Sequence, residues 1–309
     1  MAEAAELIGT ILRGVGGFYD VETDGGERFV CRPRGSFRKE KIRPLPGDVV
    51  RFVVTHERDR EGSLTQILPR RNALIRPAVA NVDQALLFFS VREPDPSFLL
   101  ADRYLLFIAE LCLPTLLCFN KSEIADGDEV ETIREIYRGA GLPLLFVSVR
   151  TGEGLPELVS LLADRTTFLA GPSGAGKSSF INAVCPSAAA ETGELSKKLA
   201  RGKNTTRHSE LFRVAGLADE RVSPHTWLID TPGFTALELP DMEEGTLDRH
   251  YPEFMPYRDR CRFASCRHLD EPGCAVREAA ENGSVSDVRY RNYRQLYGKW
   301  KELRDRKYR

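Results

Sequence analysis

Several short stretches of this chain carry residue types that could do chemistry together. Gly171-Pro-Ser-Gly-Ala-Gly176-Lys177-Ser178 fits G-x-x-x-x-G-K-[ST] and lies between the apolar run TTFLA and the helical pattern KSSFINAV. Backbone N–H groups of such a loop, backed by a helix N-terminus, bind phosphates; Lys177 neutralises the β and γ groups and Ser178 ligates Mg2+. The bland alternative, a glycine-rich turn with no ligand, does not explain why strand, loop and helix occur in that order. Nucleotide binding therefore falls to Gly171, Pro172, Ser173, Gly174, Ala175, Gly176, Lys177, Ser178 and Ser179. Further on, DTPGF follows the strand-like HTWLID, so that Asp230 can hold Mg2+ through water and the Gly233 N–H can detect a γ-phosphate. Alone, Asp-Thr-Pro-Gly is more often a plain turn. Between these motifs lies RGKNTTRH, where Thr205 and Thr206 offer a hydroxyl to complete a Mg2+ shell; a solvated loop is the competing reading.

LLCFNKSEI, residues 116–124, supplies the base side. Asn120 and Lys121 follow an apolar run and would flank a guanine ring, while Glu123 would accept from the base N1–H and exocyclic amine. An ionised carboxylate suits that task because it is acceptor-only. Asp is the common residue there, so Glu123 is one methylene longer than usual. VSVRTGEG then places Ser148 and Val149 where a base-backing Ser-Ala pair is usual. Both base motifs precede the phosphate loop, the reverse of the Ras-like order, yet each group keeps its own internal order. The domain reads as circularly permuted.

Cys261-x4-Cys266-x-His268-x5-Cys274 gathers three thiols and one imidazole, enough for a closed tetrahedral Zn2+ site of structural role, with no position left for substrate. VRYRNYRQLYGKWKELRDRKYR follows, with cations in excess and Tyr290, Tyr293, Tyr297 and Trp300 at near-helical spacing. That pattern suits RNA, with phosphates on cations and bases on rings. The same rings could instead pack the helix onto the metal region. In CRPRGSFRKEKIRP, residues Arg32, Arg34, Arg38, Lys39 and Lys41 make a basic loop of the kind that serves as an oligonucleotide surface on a small barrel.

Three zones must position these residues. Up to about Arg71, short apolar segments alternate with Gly-rich turns, as in a small antiparallel β barrel. From Asn81 to Phe234, apolar runs alternate with helical patterns, which predicts a mostly parallel sheet. From Asp241 the chain is charged, cysteine-bearing and finally helical. At 309 residues with 42% hydrophobic and 29% charged, it can bury a sizeable core. The net charge of −1 excludes a general polycation, so nucleic-acid contact must come from patches. Seven unevenly spread cysteines argue for a reducing cytoplasm rather than a disulfide framework, with Cys112, Cys118 and Cys185 read as core. No apolar run reaches membrane-span length, and the start lacks signal-peptide character.

The motif order and the flanking zones together resemble the ribosome small subunit-dependent GTPase A family of bacteria. The resemblance rests on GFYDV, CRPRGSFRKEKIRPLPGDVV, ILPRRNALIRPAVANVDQ, GPSGAGKSS, RGKNTTRH, DTPGF and the cysteine cluster. It implies a multidomain chain: an OB-fold RNA-binding barrel at 1–72, a circularly permuted α/β P-loop GTPase domain at 73–238, and a zinc-binding α-helical domain with a basic C-terminal helix at 239–309. It also implies GTP hydrolysis stimulated by the small ribosomal subunit, late subunit maturation, and release controlled by hydrolysis. The expected partners are the subunit with its rRNA and GTP or GDP, with no membrane, for a cytoplasmic monomer. One structural Zn2+ per chain and Mg2+ with GTP are the expected cofactors. The resemblance singles out Thr206 as the Mg2+ ligand of the first switch, and Lys177, Thr206 and Gly233 as the catalytic set. Asn204 stands where the family usually has His, and Phe234, which cannot hydrogen-bond to water, stands where a Ras-like enzyme has Gln. Intrinsic hydrolysis should therefore be slow. A GTP-gated rRNA-binding assembly factor with vestigial hydrolysis is the alternative; an ATP-using P-loop kinase is opposed by the guanine-side motif.

Overall fold

The computed structural model describes residues 6–35, 37, 42–75, 77–185, 188, 209–215, 222–230, 239–240, 242–243 and 245–307. Five strands, β1 (Glu6–Val15), β2 (Phe18–Thr23), β3 (Arg28–Pro33), β4 (Val49–His56) and β5 (Glu61–Ile67), close into a barrel in the order β1-β2-β3-β5-β4. All pairings are antiparallel except β3 with β5. Alternation along the strands points Ile11, Val21, Cys31, Val50, Phe52 and Leu64 inward, each fully buried, while charged residues take the other face. This is the OB-like barrel expected at the N-terminus. Buried Asp48 accepts from Leu45 N at 2.7 Å and pairs with Arg70 at 2.6 Å, which fixes the loop entering β4. A short ladder follows, β6 (Ala73–Leu74) with β7 (Val79–Ala80).

The α/β region supplies β8 (Gln84–Ser90), α1 (Phe98–Glu110), β9 (Thr115–Asn120), α2 (Gly127–Tyr137), β10 (Leu144–Phe146), α3 (Leu155–Leu162), β11 (Thr166–Ala170), α4 (Lys177–Val184), β12 (Glu210–Arg213) and β13 (Trp227–Asp230). β8 and β11 are buried at every position, as strands covered on both faces are. Asp126 and Glu129 form a capping box that starts α2, and Arg92 holds Glu129 from outside. The C-terminal region contains α5 (Met255–Arg258), α6 (Ala275–Glu281) and the 21-residue α7 (Asp287–Lys307).

The chain divides into two compact units, one of residues 1–85, 155–170 and 177–233, the other of 86–154, 171–176 and 234–309. In the first, β11 and β13 are parallel and β12 adds an antiparallel edge. Arg13 of β1 reaches Glu210 at 3.1 Å, and Arg213 reaches buried Glu22 of β2 at 2.6 Å, so the barrel is ion-paired to β12. In the second, β9 and β10 are parallel. Its aromatic core joins Tyr251, Phe254, Tyr290, Tyr293, Tyr297 and Trp300 to Leu106 of α1. Cys118 and Cys185 are buried as expected, but Cys112 is exposed: it follows the C-cap of α1 in a left-handed turn that carries it out of the core.

Candidate nucleotide and metal sites

In the second unit Asn120 ends β9 almost fully buried, and its amide works in two directions. Nδ2 donates to Ala175 O at 2.9 Å and Oδ1 accepts from Val149 N at 3.0 Å. Asn120 therefore clamps the 148–153 loop to the phosphate loop, and only one of its two N–H groups is spent on Ala175. Sequence reasoning gave Asn120 a place beside the base but missed this bracket. Two glycines make the loop geometry possible. A Cβ on Gly171 would stand 2.0 Å from Phe88 O, and one on Gly176 2.4 Å from Asn120 Nδ2; both residues have positive φ.

The other residues expected on the base side have their own local partners in this unit. Lys121 takes a left-handed backbone, and its Nζ donates to Glu93 O. Buried Ser148 shapes its loop, Oγ accepting from Thr151 N at 3.0 Å. Glu123 Oε1 accepts from Arg150 Nε at 3.0 Å, whereas Oε2 is buried and takes no hydrogen bond from the described residues. Burial alone would raise the Glu123 carboxyl, but the nearby Ser148 hydroxyl, its own backbone N–H and Arg150 outweigh burial and hold it below the usual range. The carboxyl is thus an ionised acceptor at neutral pH, with one oxygen left open. Pro172, Ser173, Gly174 and Ala175 complete this unit's share of the loop.

In the first unit Lys177 opens α4, and burial lowers its pKa while the pull of Asp230 opposes the shift. Such an ammonium gains most from an added anion. Ser178 and Ser179 are exposed on the first turn of α4, and Asp230 is the last residue of β13, paired to Leu169 of β11. Thr205, Thr206 and Gly233, with Asn204 and Phe234, lie outside the described residues.

Cys261, Cys266, His268 and Cys274 place their ligand atoms within 4.8 Å of one another, and His268 Nδ1 lies 3.5 Å from both Cys261 Sγ and Cys274 Sγ. Around a tetrahedral ion with bonds of about 2.3 Å to sulfur and 2.0–2.1 Å to nitrogen, sulfur and nitrogen stand roughly 3.5 Å apart. The four residues therefore fit a metal ion. Backbone N–H groups of His268 and Arg277 point to Cys266 and Cys274 at 3.4 Å each. On the far side of the imidazole, Nε2 faces Asp248 Oδ2 at 3.7 Å. Burial would raise the Asp248 carboxyl, but His268 and Arg258 outweigh it and keep it below the usual range. Asp248 thus presents an ionised carboxylate to Nε2, opposite the Nδ1 that faces the thiols, at ion-pair rather than hydrogen-bond distance. Nothing in the sequence marked it for that role.

The aromatic residues of α7 do not offer stacking surfaces. Tyr290, Tyr293, Tyr297 and Trp300 are all buried. The Tyr290 hydroxyl donates to His268 O at 2.9 Å and that of Tyr293 to Arg267 O at 2.6 Å. Tyr290 and Tyr293 thus bond to the loop of the cluster while Tyr297 and Trp300 pack in the core, so the packing reading of this helix holds for its rings. On the barrel, Arg32 and Arg34 are exposed, with the Arg32 guanidinium 4.3 Å above the half-exposed Phe18 ring. Arg38, Lys39 and Lys41 lie outside the described residues. Among the described residues no helix is long and apolar enough to cross a membrane.

A phosphate loop bracketed by a guanine-type motif that precedes it in the chain, both following a five-stranded closed barrel in sequence, defines a circularly permuted P-loop GTPase class. Residues 67–240 match the family described as RsgA GTPase, and residues 8–63 match the RsgA N-terminal domain. A relative from Agathobacter rectalis, named small ribosomal subunit biogenesis GTPase RsgA, is 42% identical over 97% of this chain and 99% of its own. The crystal structure of YloQ, described as a circularly permuted GTPase, matches with a TM-score of 0.70 at 35% identity, covering 99% of this chain and 97% of YloQ. That of YjeQ from Thermotoga maritima matches with a TM-score of 0.72 at 32% identity, covering 95% and 98%. The chain belongs to the RsgA GTPase family.

Proposed function

We propose that this protein is a cytoplasmic GTPase that binds the small ribosomal subunit, assists its late maturation, and leaves when GTP is hydrolysed. The observation that carries the reading is the Asn120 bracket, which joins the guanine-type motif to the phosphate loop; the names of the relatives support the ribosomal part. Gly171 to Ser179 bind the phosphates, with the half-buried Lys177 as the cation. Asn120, Lys121, Glu123, Ser148 and Val149 hold the base. Ser178, Thr206 and Asp230 hold the Mg2+ that neutralises the β and γ oxygens, with Thr205 beside it. Gly233 senses the γ-phosphate. Phe234 cannot orient water, so hydrolysis waits for the subunit to bring residues 201–208 against the γ-phosphate. Exposed Arg32 and Arg34, with Arg38, Lys39 and Lys41, contact rRNA by pairing with phosphates. Cys261, Cys266, His268 and Cys274 hold one structural zinc, which gives rigidity to a loop poor in apolar residues.

Two variants test the two ends of the nucleotide. Glu123→Ala removes charged acceptors and should weaken GDP binding about 10- to 100-fold, with ADP binding unchanged; isothermal titration with both nucleotides measures this. Thr206→Ala should still bind GDP but lose most subunit-stimulated phosphate release, because the first switch can no longer close around Mg2+. The decisive assay is multiple-turnover GTP hydrolysis with and without purified small subunits. Stimulation supports the enzyme, and its absence with GTP-dependent retention on subunits leaves a vestigial hydrolase.

A further inference from the structure

We propose that Arg150 is a positioning residue for guanine selection, acting through Glu123 rather than on the nucleotide. The inference rests on the reading of Glu123 as the base-selecting carboxylate. Glu has one more rotatable bond than Asp, so its carboxylate can reach the base edge in several ways, and each unproductive one costs selectivity. Arg150 Nε donates to Oε1 at 3.0 Å and removes that freedom. The Glu123 side chain is only 12% exposed while that of Arg150 is 71% exposed, so a solvated cation pins a largely buried acceptor. Two surface charges would gain little from such a pair. Here one partner is enclosed, and its second oxygen is buried and takes no hydrogen bond from the described residues, the Ser148 hydroxyl lying near the carboxyl. A buried oxygen without a donor is costly unless a ligand supplies one. A guanine N1–H or amine is a donor of the right kind, whereas adenine offers an acceptor at N1. Oε1 can also accept a second hydrogen bond, so Arg150 does not block the base.

The test is a double-mutant cycle of Arg150→Ala and Glu123→Ala, read by titration with GDP and ADP on the full chain. Arg150→Ala should weaken GDP binding roughly threefold to tenfold, leave ADP binding unchanged, and have no further effect when Glu123 is already Ala. A pH profile gives a readout that general destabilisation would not move. GDP binding needs ionised Glu123 and is lost as pH falls through its pKa. Arg150 lowers that pKa, so in Arg150→Ala the acid limb of GDP binding should move to higher pH. An Arg150→Ala effect that persists in the Glu123→Ala background overturns the inference, because Arg150 would then touch the nucleotide itself. Unchanged GDP binding by Arg150→Ala also overturns it. If Glu123→Ala keeps its preference for GDP over ADP, the base-selecting reading of Glu123 fails, and this inference fails with it.

Discussion

Arg289→Met should destabilise the second unit by about 3–5 kcal/mol, the cost of removing one partner from a buried ion network. Arg289 is almost wholly enclosed; its Nη1 donates to Asp102 Oδ1, and its Nε donates to Glu253 Oε1 at 2.6 Å. Its guanidinium also lies 4.5 Å from the Tyr251 ring and 5.3 Å from that of Tyr137. Asp102 takes two further bonds, from Asn292 Nδ2 at 2.8 Å and from the Tyr137 hydroxyl at 3.3 Å. Burial works against charge on Arg289, yet Asp102 and Glu253 hold its pKa well above the ordinary value. Burial pushes the Asp102 carboxyl up, and Arg289 and Asn292 pull it back. Met keeps the bulk and removes the cation, so two enclosed carboxyls lose their counter-charge. Adding Asp102→Leu and Glu253→Gln should recover most of the loss, since replacing all members of such a network is far cheaper than removing one. Urea unfolding followed by Trp300 fluorescence in a Trp227→Phe background reads this unit, because the chain has only those two tryptophans. An unchanged midpoint in Arg289→Met would mean the network carries no stability.

The network joins three helices. Asp102 lies on α1, Tyr137 ends α2, and Arg289 and Asn292 lie on α7. The helix that starts just after the Glu123 motif is therefore tied to α7, whose tyrosines bond to the loop of the cysteine–histidine cluster. Sequence reasoning did not find this link. The phosphate loop, base motif and ligand cluster were legible because their chemistry demands particular residue types at close spacing, whichever fold surrounds them. Arg289 sits in a run of cations on a polar helix, where a charge is ordinarily solvated. Only three-dimensional packing reveals that this one turns inward while Arg291, two residues on, stays exposed. The tyrosines of α7 show the same ambiguity from the other side. Their spacing suits either an RNA face or a core face, and burial decides for the core. Asn120 was legible as a motif residue but not as a bracket, because Ala175 and Val149 are brought to it by folding alone.

Metal removal should have an effect of similar size and a different signature. Cys266→Ser should lower the bound zinc from one per chain to a small fraction by metal analysis and cost more than about 4 kcal/mol, the range in which loss of a metal belongs. Besides a metal, the loop between Cys261 and Cys274 is anchored by hydrogen bonds, from Tyr290, Tyr293 and Arg294 of α7 and to Glu271 within the loop. Phe263 is half-exposed, and the turn at His268 adopts a left-handed backbone at φ 59°, which an L residue adopts at a cost of about 1 kcal/mol or more. Glu271 accepts from Arg267 N and Leu269 N at 2.8 Å each and stiffens the same turn, but it cannot replace four bonds to one ion. Asp248→Asn separates orientation from ligation. It leaves all four ligands and should weaken zinc binding 10- to 100-fold, because the ring loses the ionised carboxylate that faces Nε2. In competition with a chelator of known affinity, Asp248→Asn should therefore release zinc earlier than the unmutated protein, and Trp300 fluorescence should follow the release, since Tyr290 and Tyr293 join α7 directly to the ligand loop. Purified protein without zinc, or chelation that leaves Trp300 unchanged, would count against a structural ion and leave the aromatic core and the hydrogen bonds to this loop as the support of this region.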